Sequence, residues 1–206
     1  MVQRLKPKVR GRMLIAAEAV FAESGYSTAT MAAIARRAGV STGNLYRYFA
    51  SKEELFYTIF TDAFAASFLR IVQRRVGSLV EAEDLVALGT KAQRDAEALL
   101  QFWIDHRLKI VVLLDRATGS RYEQFADRFI NELMRPALAE LRREANTGHG
   151  LPIVRFTLQN IFGNTVRTIV SILESHKKEA AIREAFSAFW SYQLAGLEGL
   201  KRWVKP

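Results

Sequence analysis

The 206-residue sequence contains no cysteine and only four prolines. The lack of cysteine excludes disulfide bonds and thiolate metal sites, which is compatible with a reducing compartment. No apolar run approaches the ~20 residues of a membrane-spanning helix, since Arg167 interrupts the stretch from Ile161 to Leu173. The basic N-terminus leads into an amphipathic pattern and does not resemble a signal peptide. We therefore expect a cytoplasmic chain with no membrane partner.

The sequence also lacks the common catalytic motifs. Its three histidines, His106, His149 and His176, are scattered, and no His-Glu-x-x-His, phosphate-loop or Gly-x-Ser-x-Gly motif is present. The neighbouring acidic residues Glu81 and Glu83 are more typical of a solvated helix start than of an acid/base pair. We predict a non-enzyme without catalytic residues, metal or cofactor, and an all-helical enzyme is the weakest alternative.

The positive charge is concentrated near the N-terminus. Nine lysines and arginines stand against two glutamates up to Lys52, which gives a net charge of +7, whereas the whole chain carries only +9. A basic balance on one quarter of a chain is typical of a protein that binds a polyanion such as DNA.

Within this basic region, residues 30–55 read TMAAIARRAGVSTGNLYRYFASKEEL and show three helix starts and one helix stop. Thr30, Ser41 and Ser51 can each accept a hydrogen bond from an unpaired amide at a helix start, and Gly39 permits a left-handed turn. Ser51 and Glu54 also have the spacing of a capping box. The pattern predicts a helix-turn-helix followed by a third capped helix.

The apolar residues of this segment predict which face is free. Leu45 and Phe49, four residues apart, should pack inward, as should Ile34, Ala35 and Ala38 of the preceding helix. The remaining side chains of the second short helix can approach a groove wall, donate to phosphates and contact base edges. An ordinary helical core with solvated charges is the alternative, and the charge distribution argues against it.

The segment resembles the DNA-binding domain of the TetR family of transcriptional regulators over about fifty residues. The resemblance includes Ala38-Gly39-Val40-Ser41, Leu45-Tyr46, Tyr48-Phe49 and Lys52-Glu53-x-Leu55. It implies backbone contacts from Thr30, Thr42, Tyr46, Tyr48 and Lys52, and base-proximal positions for Thr42, Gly43, Asn44 and Arg47. The family most often has histidine in place of Tyr48, but a phenol can also donate to phosphate. The predicted DNA-binding residues are Thr30, Arg36, Ser41, Thr42, Gly43, Asn44, Tyr46, Arg47, Tyr48 and Lys52.

The rest of the chain has apolar residues at spacings of three and four, which predicts further helices and no strand. The expected helices are Lys52 to about Val76, ended by Gly77, then Glu83 to Ile104, Lys109 to Leu114, Tyr122 to Asn146, Ile153 to Ser175 and Lys178 to Val204. Loops are expected at Ala117 to Ser120 and Asn146 to Pro152. We predict an all-α fold with a helix-turn-helix DNA-binding domain over 1–51 and a larger helical bundle for ligand binding and dimerisation over 52–206.

The last two helices carry more apolar surface than the edge of a monomer normally exposes, and in the resembled family the corresponding helices form a four-helix dimer interface. A two-fold dimer also suits DNA, because it presents recognition helices to half-sites ~34–36 Å apart. Gly163 and Gly196 would allow backbones to approach closely, although an internal helix crossing explains them equally. The predicted homodimer interface is Phe162, Val166, Ile169, Ile172, Phe186, Phe189, Trp190, Leu194 and Leu197.

An aromatic group between the two predicted regions suggests a ligand pocket, because a mostly apolar lining with few polar groups is typical of such sites. Family members similarly bind small effectors in this domain, but aromatics at helical spacing are also common in filled cores. The predicted pocket residues are Phe64, Phe68, Leu99, Phe102, Trp103, His106, Tyr122, Phe125 and Phe129.

These features predict a sequence-specific regulator of double-stranded DNA, namely a repressor that binds a palindromic operator as a dimer. An apolar or aromatic effector would release it by tilting the helix that begins at Lys52 and thereby moving the recognition helix. A non-specific architectural DNA-binding protein without ligand control is the alternative.

Overall fold

The computed structural model describes residues 6–80, 90–144 and 151–204. In chain order the helices are α1 (Pro7–Thr28), α2 (Met31–Ala38), α3 (Thr42–Tyr46), α4 (Lys52–Ile59), α5 (Asp62–Val80), α6 (Thr90–Asp105), α7 (Arg107–Asp115), α8 (Phe125–Glu144), α9 (Leu151–Ser175) and α10 (Glu179–Val204). The described residues contain no strand, so the predicted all-α class is confirmed.

The chain forms two compact units, each built from separate stretches of sequence. The first unit contains the described residues up to Ala66 together with Leu108–Phe125. The second unit contains Ser67–Arg107 and the described residues from Ala126 onward. The compact units thus differ from the predicted division at residues 51 and 52, because α4, the start of α5 and most of α7 belong to the first unit. The functional division at that boundary stays a prediction.

The core of the first unit forms because α1 packs against α2 and α4. The Phe21 ring of α1 meets the Phe56 ring of α4 edge-on at 5.0 Å between centroids, and Phe60 stacks on Phe56 at 4.4 Å. All three rings are fully buried. In α7 the five consecutive apolar residues Ile110–Leu114 are also buried, so this short helix has no polar face along that stretch.

The predicted continuous helix from Lys52 to Val76 is wrong, because the chain breaks it at Phe60 and Thr61. Phe60 leaves the helical region with φ −101° and ψ 77°. The Thr61 hydroxyl then accepts a hydrogen bond from the amide of Phe64 at 3.1 Å, which caps the start of α5. The predicted stop at Gly77 is also wrong, since α5 continues to Val80. The single continuous helix from Lys52 that the predicted release mechanism would tilt is therefore not present.

In the second unit α10 packs against both α6 and α9. The Trp103 ring of α6 lies 4.9 Å from the Phe186 ring and 6.0 Å from the Trp190 ring, both in α10. The Phe68 ring of α5 contacts Phe102 of α6 and Phe129 of α8 at 5.9 and 5.6 Å. Aromatic contacts therefore join α5, α6, α8 and α10 within this unit.

The remaining predicted helices form with shifted ends. The structure places α6, α7, α8, α9 and α10 where the sequence predicts helices, and residues 116–124 form the loop predicted around Ala117 to Ser120. Leu151 and Pro152 begin α9 and do not extend the predicted loop, which suits proline because the first helical turn needs no amide donor there. Residues 83–89, with Glu83, and residues 145–150 of the second predicted loop lie outside the described residues.

Among the described residues, one segment, Lys52–Leu79, is long and apolar enough to cross a membrane by length and composition, with a mean hydropathy of 1.4 over an 18-residue window. The break at Phe60 and Thr61 divides this segment into two helices. Because helices in the core of water-soluble proteins meet the same criterion, this is only weak evidence for a membrane span.

Candidate DNA-binding surface and ligand cavity

The turn between α2 and α3 is fixed by the residues that the sequence indicates. The Thr30 hydroxyl accepts from the amide of Ala33 at 3.1 Å, and the Ser41 hydroxyl accepts from the amide of Asn44 at 3.2 Å. Gly39 adopts a left-handed conformation, with φ 66°, and its amide donates to carbonyls in the last turn of α2. The predicted helix-turn-helix is thus formed, and both hydroxyl hydrogens remain available to an acceptor such as phosphate.

One face of α3 is buried and the other faces solvent. Leu45 is completely buried and Phe49 is 1% exposed. Thr42, Gly43 and Arg47 are exposed, Tyr46 is 51% exposed and Asn44 is partly exposed. The buried and exposed faces of α3 are thus the ones predicted from the sequence. The exposed face is a polar surface that can enter a DNA groove.

Tyr48 connects this surface to the start of α1. Its hydroxyl oxygen accepts a hydrogen bond from the backbone amide of Lys6 at 3.0 Å. The guanidinium of Arg10, one turn into α1, lies 5.2 Å from the centre of the Phe49 ring. The Tyr48 hydroxyl keeps its own hydrogen, so the proposed donation to phosphate is compatible with this contact.

Lys52 has a structural role in addition to its predicted one. Its ammonium group donates to the carbonyls of Tyr26 at 2.7 Å and Ser27 at 3.2 Å, and it lies 4.6 Å from the centre of the Tyr26 ring. A positive charge at these carbonyls stabilises the C-terminal end of α1. An ammonium group has three hydrogens, so a phosphate contact from Lys52 stays a prediction.

The capping box at the start of α4 forms in a modified way. The Ser51 hydroxyl accepts from the amide of Glu54 at 3.0 Å, while the Glu54 carboxylate accepts from the amide of Ala50 at 2.7 Å, one residue before the usual position.

On α2, Arg36 is exposed, whereas Arg37 pairs with Glu23 of α1. Arg36 is therefore available for its predicted DNA contact.

The loop after α7 holds the end of α1, within the first unit. The amide of Tyr26 donates to the carbonyl of Arg116 at 2.8 Å, and the Arg116 guanidinium donates to the carbonyl of Glu23 at 3.0 Å. Between these contacts Gly25 has φ 78° and ψ 162°, a conformation that only glycine adopts readily. The end of α1 thus depends on a segment nearly a hundred residues away in sequence.

A second polar cluster fixes the same loop to the junction of α4 and α5. The Tyr122 hydroxyl donates to the Asp62 carboxylate at 2.7 Å and accepts from the Arg121 guanidinium at 3.0 Å. That guanidinium also lies 4.1 Å from the centre of the Tyr57 ring. Burial, reinforced by the hydrogen bond to Asp62, raises the pKa of Tyr122 to about 12. Tyr122 therefore stays protonated at neutral pH.

The second unit contains a cavity of about 150 Å³. Its lining is largely apolar and comes from α5, α6, α8, α9 and α10. The apolar lining residues are Val72, Val76, Leu79, Leu99, Trp103, Phe129, Leu133, Ala137, Leu141, Phe162, Ile169, Trp190, Leu194 and Leu197. A cavity of this character suits a small hydrophobic ligand.

Most polar groups of the lining have partners within the chain. Arg75 donates to the carbonyl of Ala92 at 3.0 Å, and its burial lowers the pKa of the guanidinium, which nearby Asp95 partly opposes. Gln193 donates to the Thr165 hydroxyl at 2.6 Å. Lys201 and Glu140 form an ion pair of 3.8 Å. These groups give the cavity a charged and polar region without leaving an uncompensated buried charge.

Three of the nine predicted pocket residues line this cavity, namely Leu99, Trp103 and Phe129. Phe68 and Phe102 pack together nearby in the second unit, and the His106 ring meets Phe102 at 4.7 Å. Phe64, Tyr122 and Phe125 do not line it, because they belong to the first unit, where Tyr122 is bound by Asp62 and Lys109 lies 5.0 Å from the Phe64 ring.

The predicted dimer residues occupy mainly inward positions. Phe162, Ile169, Trp190, Leu194 and Leu197 line the cavity of their own chain. Val166, Ile172 and Phe186 are buried in the single chain as well, whereas Phe189 is half-buried. The large apolar residues exposed on α9 and α10, which the sequence analysis did not select, are Ile153, Phe156, Tyr192 and Trp203.

Within the described parts of the chain, no group of three His, Asp or Glu side chains converges closely enough to hold a metal ion.

Comparison with known proteins agrees with the helix-turn-helix geometry. Residues 14–59 match the family of bacterial regulatory proteins described as the tetR family. The chain is 25% identical over 187 residues to the fatty acid metabolism regulator protein of Bacillus subtilis, an alignment that covers 86% of this chain and 89% of that protein. The matched segment contains the helix-turn-helix, and both it and the relatives identify the chain as similar to the TetR family of transcriptional regulators. Its helix-turn-helix is thus that of a DNA-binding regulator.

Two further transcriptional regulators match shorter parts of the chain, and one solved structure aligns along most of it. The transcriptional activator FasR of Mycolicibacterium smegmatis is 45% identical over 71 residues, which cover 34% of this chain and 27% of FasR. The repressor KstR2 of Mycobacterium tuberculosis is 30% identical over 122 residues, 58% of each chain. A solved TetR-like regulator from Rhodococcus sp. RHA1 aligns with a TM-score of 0.47 and 26% identity over 94% of this chain and all of that one.

Proposed function

We propose that this protein is a dimeric repressor of the TetR family that binds a palindromic operator and leaves it when a small, largely apolar effector occupies the cavity of the second unit. The observation that carries the DNA-binding half of this proposal is the surface of α3, where Leu45 and Phe49 are buried while Thr42, Tyr46 and Arg47 face solvent. The cavity supports the effector half.

Dimerisation is proposed through the outward faces of α9 and α10. Phe156 and Tyr192 are 72% and 80% exposed, which is unusual for large apolar side chains. A Cβ atom added at Gly163 or Gly196 would meet no other group of the same chain within 4 Å, so a second copy has room to approach there. A two-fold dimer would place two recognition helices one DNA turn apart.

The effector class is supported by two independent observations. The cavity lining is predominantly apolar, and a relative that aligns along most of the chain is named for fatty acid metabolism. We propose repression as the direction of control, as in KstR2, although FasR is named an activator. We place the protein in the cytoplasm, where its DNA lies.

Release of the operator would follow from thermodynamic linkage between effector binding and DNA binding. An effector that binds preferentially to the conformation with low operator affinity weakens DNA binding by the ratio of its affinities for the two conformations, and DNA weakens effector binding by the same factor. A titration in which the operator affinity is unchanged by every compound that binds the cavity would exclude this mechanism.

The operator is tested by selecting bound genomic fragments with the purified protein at near-physiological salt. We expect a recurring inverted repeat with half-sites about one turn apart. Arg47→Ala should weaken binding to the selected site about 10- to 100-fold, as loss of a base contact does. Arg70→Ala, an exposed change on α5, is the control and should leave operator affinity unchanged. Broad recovery without a motif would favour the architectural alternative.

A further inference from the structure

The volume of the cavity in the second unit limits the size of a ligand. The cavity measures about 150 Å³, whereas pockets for drug-sized ligands measure roughly 300–1,000 Å³. An engineered cavity of ~150 Å³ lined by aliphatic and aromatic side chains binds benzene. The space therefore matches a molecule of about six to ten non-hydrogen atoms and is too small for a long acyl chain.

The wall of the cavity is packed too tightly to widen at low cost. Val72 of α5, Phe129 of α8 and Ile169 of α9 line it and are each 1% exposed. The Phe129 ring also contacts the Phe68 ring at 5.6 Å, so widening the wall there would separate an aromatic pair. The carbons of a longer ligand would thus remain in water, where they add no affinity.

The charged groups of the lining are compensated within the chain. Both oxygens of the Glu140 carboxylate are paired, one with Lys201 at 3.8 Å and the other with Arg143 at 2.6 Å. Arg75 donates to the carbonyl of Ala92 at 3.0 Å. A charged group on a ligand would lose its hydration and would have to displace one of these partners, which is costly.

The neutral polar groups of the lining are engaged as well. The Thr165 hydroxyl donates to the carbonyl of Ile161 at 2.9 Å and accepts from Gln193 at 2.6 Å. The indole nitrogen of Trp103 is fully buried, so a ligand in the cavity cannot reach it. The lining therefore favours an uncharged ligand that is held by apolar contact.

We infer that the cavity selects compact, uncharged apolar molecules of about six to ten non-hydrogen atoms, and that the effector belongs to this class. This inference rests on the proposed effector site and adds the size and charge of the ligand.

The first experiment measures how affinity depends on ligand length. The probes are benzene, toluene and the n-alkylbenzenes up to n-hexylbenzene, and binding to the full-length protein is followed by the fluorescence of Trp103 and Trp190, which line the cavity. Each buried methylene should tighten binding about fourfold. We expect this gain up to about ten carbons and none beyond. A gain that continues to n-hexylbenzene would overturn the size limit, as would failure of the whole series to bind.

Two alanines of α8 provide a matched pair of variants. Ala137 lines the cavity, whereas Ala139 is exposed and does not line it. Ala137→Leu should fill part of the space and weaken toluene binding about 10-fold, and Ala139→Leu should leave toluene binding unchanged. Equal affinities of the two variants for toluene would overturn the inference, since the probe would then bind elsewhere.

A third variant tests the size limit in the opposite direction. Leu133→Ala removes three carbons from the lining, so the affinity of the n-alkylbenzenes should continue to rise for about two to three carbons more than in the parent protein. An unchanged limit would show that the cavity volume does not set the size of the ligand.

The charge of the ligand is tested with benzoate and isopropylbenzene. Both molecules have the same skeleton of nine non-hydrogen atoms, but only benzoate is charged at neutral pH. We expect isopropylbenzene to bind about 10-fold more tightly or better, because the carboxylate loses hydration without gaining a free partner. Equal or tighter binding of benzoate would overturn the uncharged class.

Operator release is measured separately by fluorescence anisotropy of the selected operator. Release by sodium palmitate, whose chain has sixteen carbons, would refute the size limit and support the proposed function. Binding of isopropylbenzene without any change in operator affinity would instead refute the proposed release and leave the selectivity of the cavity supported.

Discussion

Replacement of Gly25 by alanine tests whether the end of α1 is held in a strained geometry. Gly25 has φ 78° and ψ 162°, a region that residues with a Cβ atom occupy at a cost of about 1–3 kcal/mol. The added Cβ would lie 3.6 Å from the Arg116 carbonyl oxygen, an ordinary contact. The cost therefore comes from backbone conformation and not from a steric clash.

Gly11 offers a matched control in the same helix. A Cβ atom there would meet no other group within 4 Å, and Gly11 has no positive φ angle. Gly11→Ala should stabilise the protein by about 0.5–1 kcal/mol, because alanine loses less backbone entropy than glycine on entering a helix. The two variants should thus differ by about 1.5–4 kcal/mol in opposite directions from the parent protein.

Urea unfolding followed by circular dichroism measures both variants. The protein concentration must be the same throughout, since the stability of the proposed dimer would depend on it. At ~2–4 °C per kcal/mol for a chain of this size, the variants should also separate clearly in thermal melting. If Gly25→Ala is as stable as Gly11→Ala, the positive φ angle of Gly25 carries no energetic weight and the claim of a strained end of α1 is refuted.

Three further results are expected. Phe156→Glu should convert the proposed dimer to a monomer in sedimentation, whereas Arg70→Glu on α5 should not; a dimeric Phe156→Glu protein would place the interface elsewhere. Lys52→Met should destabilise the protein by about 1–2 kcal/mol in urea, because two α1 carbonyls lose a charged donor; unchanged stability would show that water replaces it freely. Absorbance titration of phenolate should show a group with a pKa of about 12 that Tyr122→Phe removes. Because that pKa is raised on folding, its contribution to stability should be complete below pH ~10 and should fall as pH rises toward 12; a titration identical in the variant would contradict this.

The helix-turn-helix could be predicted from sequence because its signals are local. Thr30, Gly39 and Ser41 each act on the backbone within four residues, so their chemistry determines the helix ends without help from distant contacts. Thr61 followed by Asp62 is also a local signal for a new helix start, but the phenylalanines at 56, 60, 64 and 68 repeat every four residues and favour one continuous helix. A regular apolar spacing does not exclude a capped break.

The cavity could be predicted only in part, because periodicity shows that a helix has an apolar face but not which partner covers it. The apolar pattern predicts Trp190 and Leu194 at the dimer interface, yet both line the cavity of their own chain. The aromatic pattern predicts Tyr122 in the pocket, yet Tyr122 lies in the first unit, where its hydroxyl donates a hydrogen bond to Asp62. Contacts between residues far apart in sequence determine where these side chains lie, and such contacts cannot be read from the spacing of residues in a single sequence.

The discontinuous first unit limits how this regulator can be recombined with others. The carbonyl of Arg116 and the side chain of Tyr122 contribute to the part of the molecule that carries α3. A chimera that transfers only the residues before Ala66 would leave these groups behind, and the end of α1 would then rely on whatever loop the recipient supplies. A chimera designed to exchange DNA-binding specificity should therefore include residues 108–125 together with the N-terminal segment, because the two stretches form one compact unit.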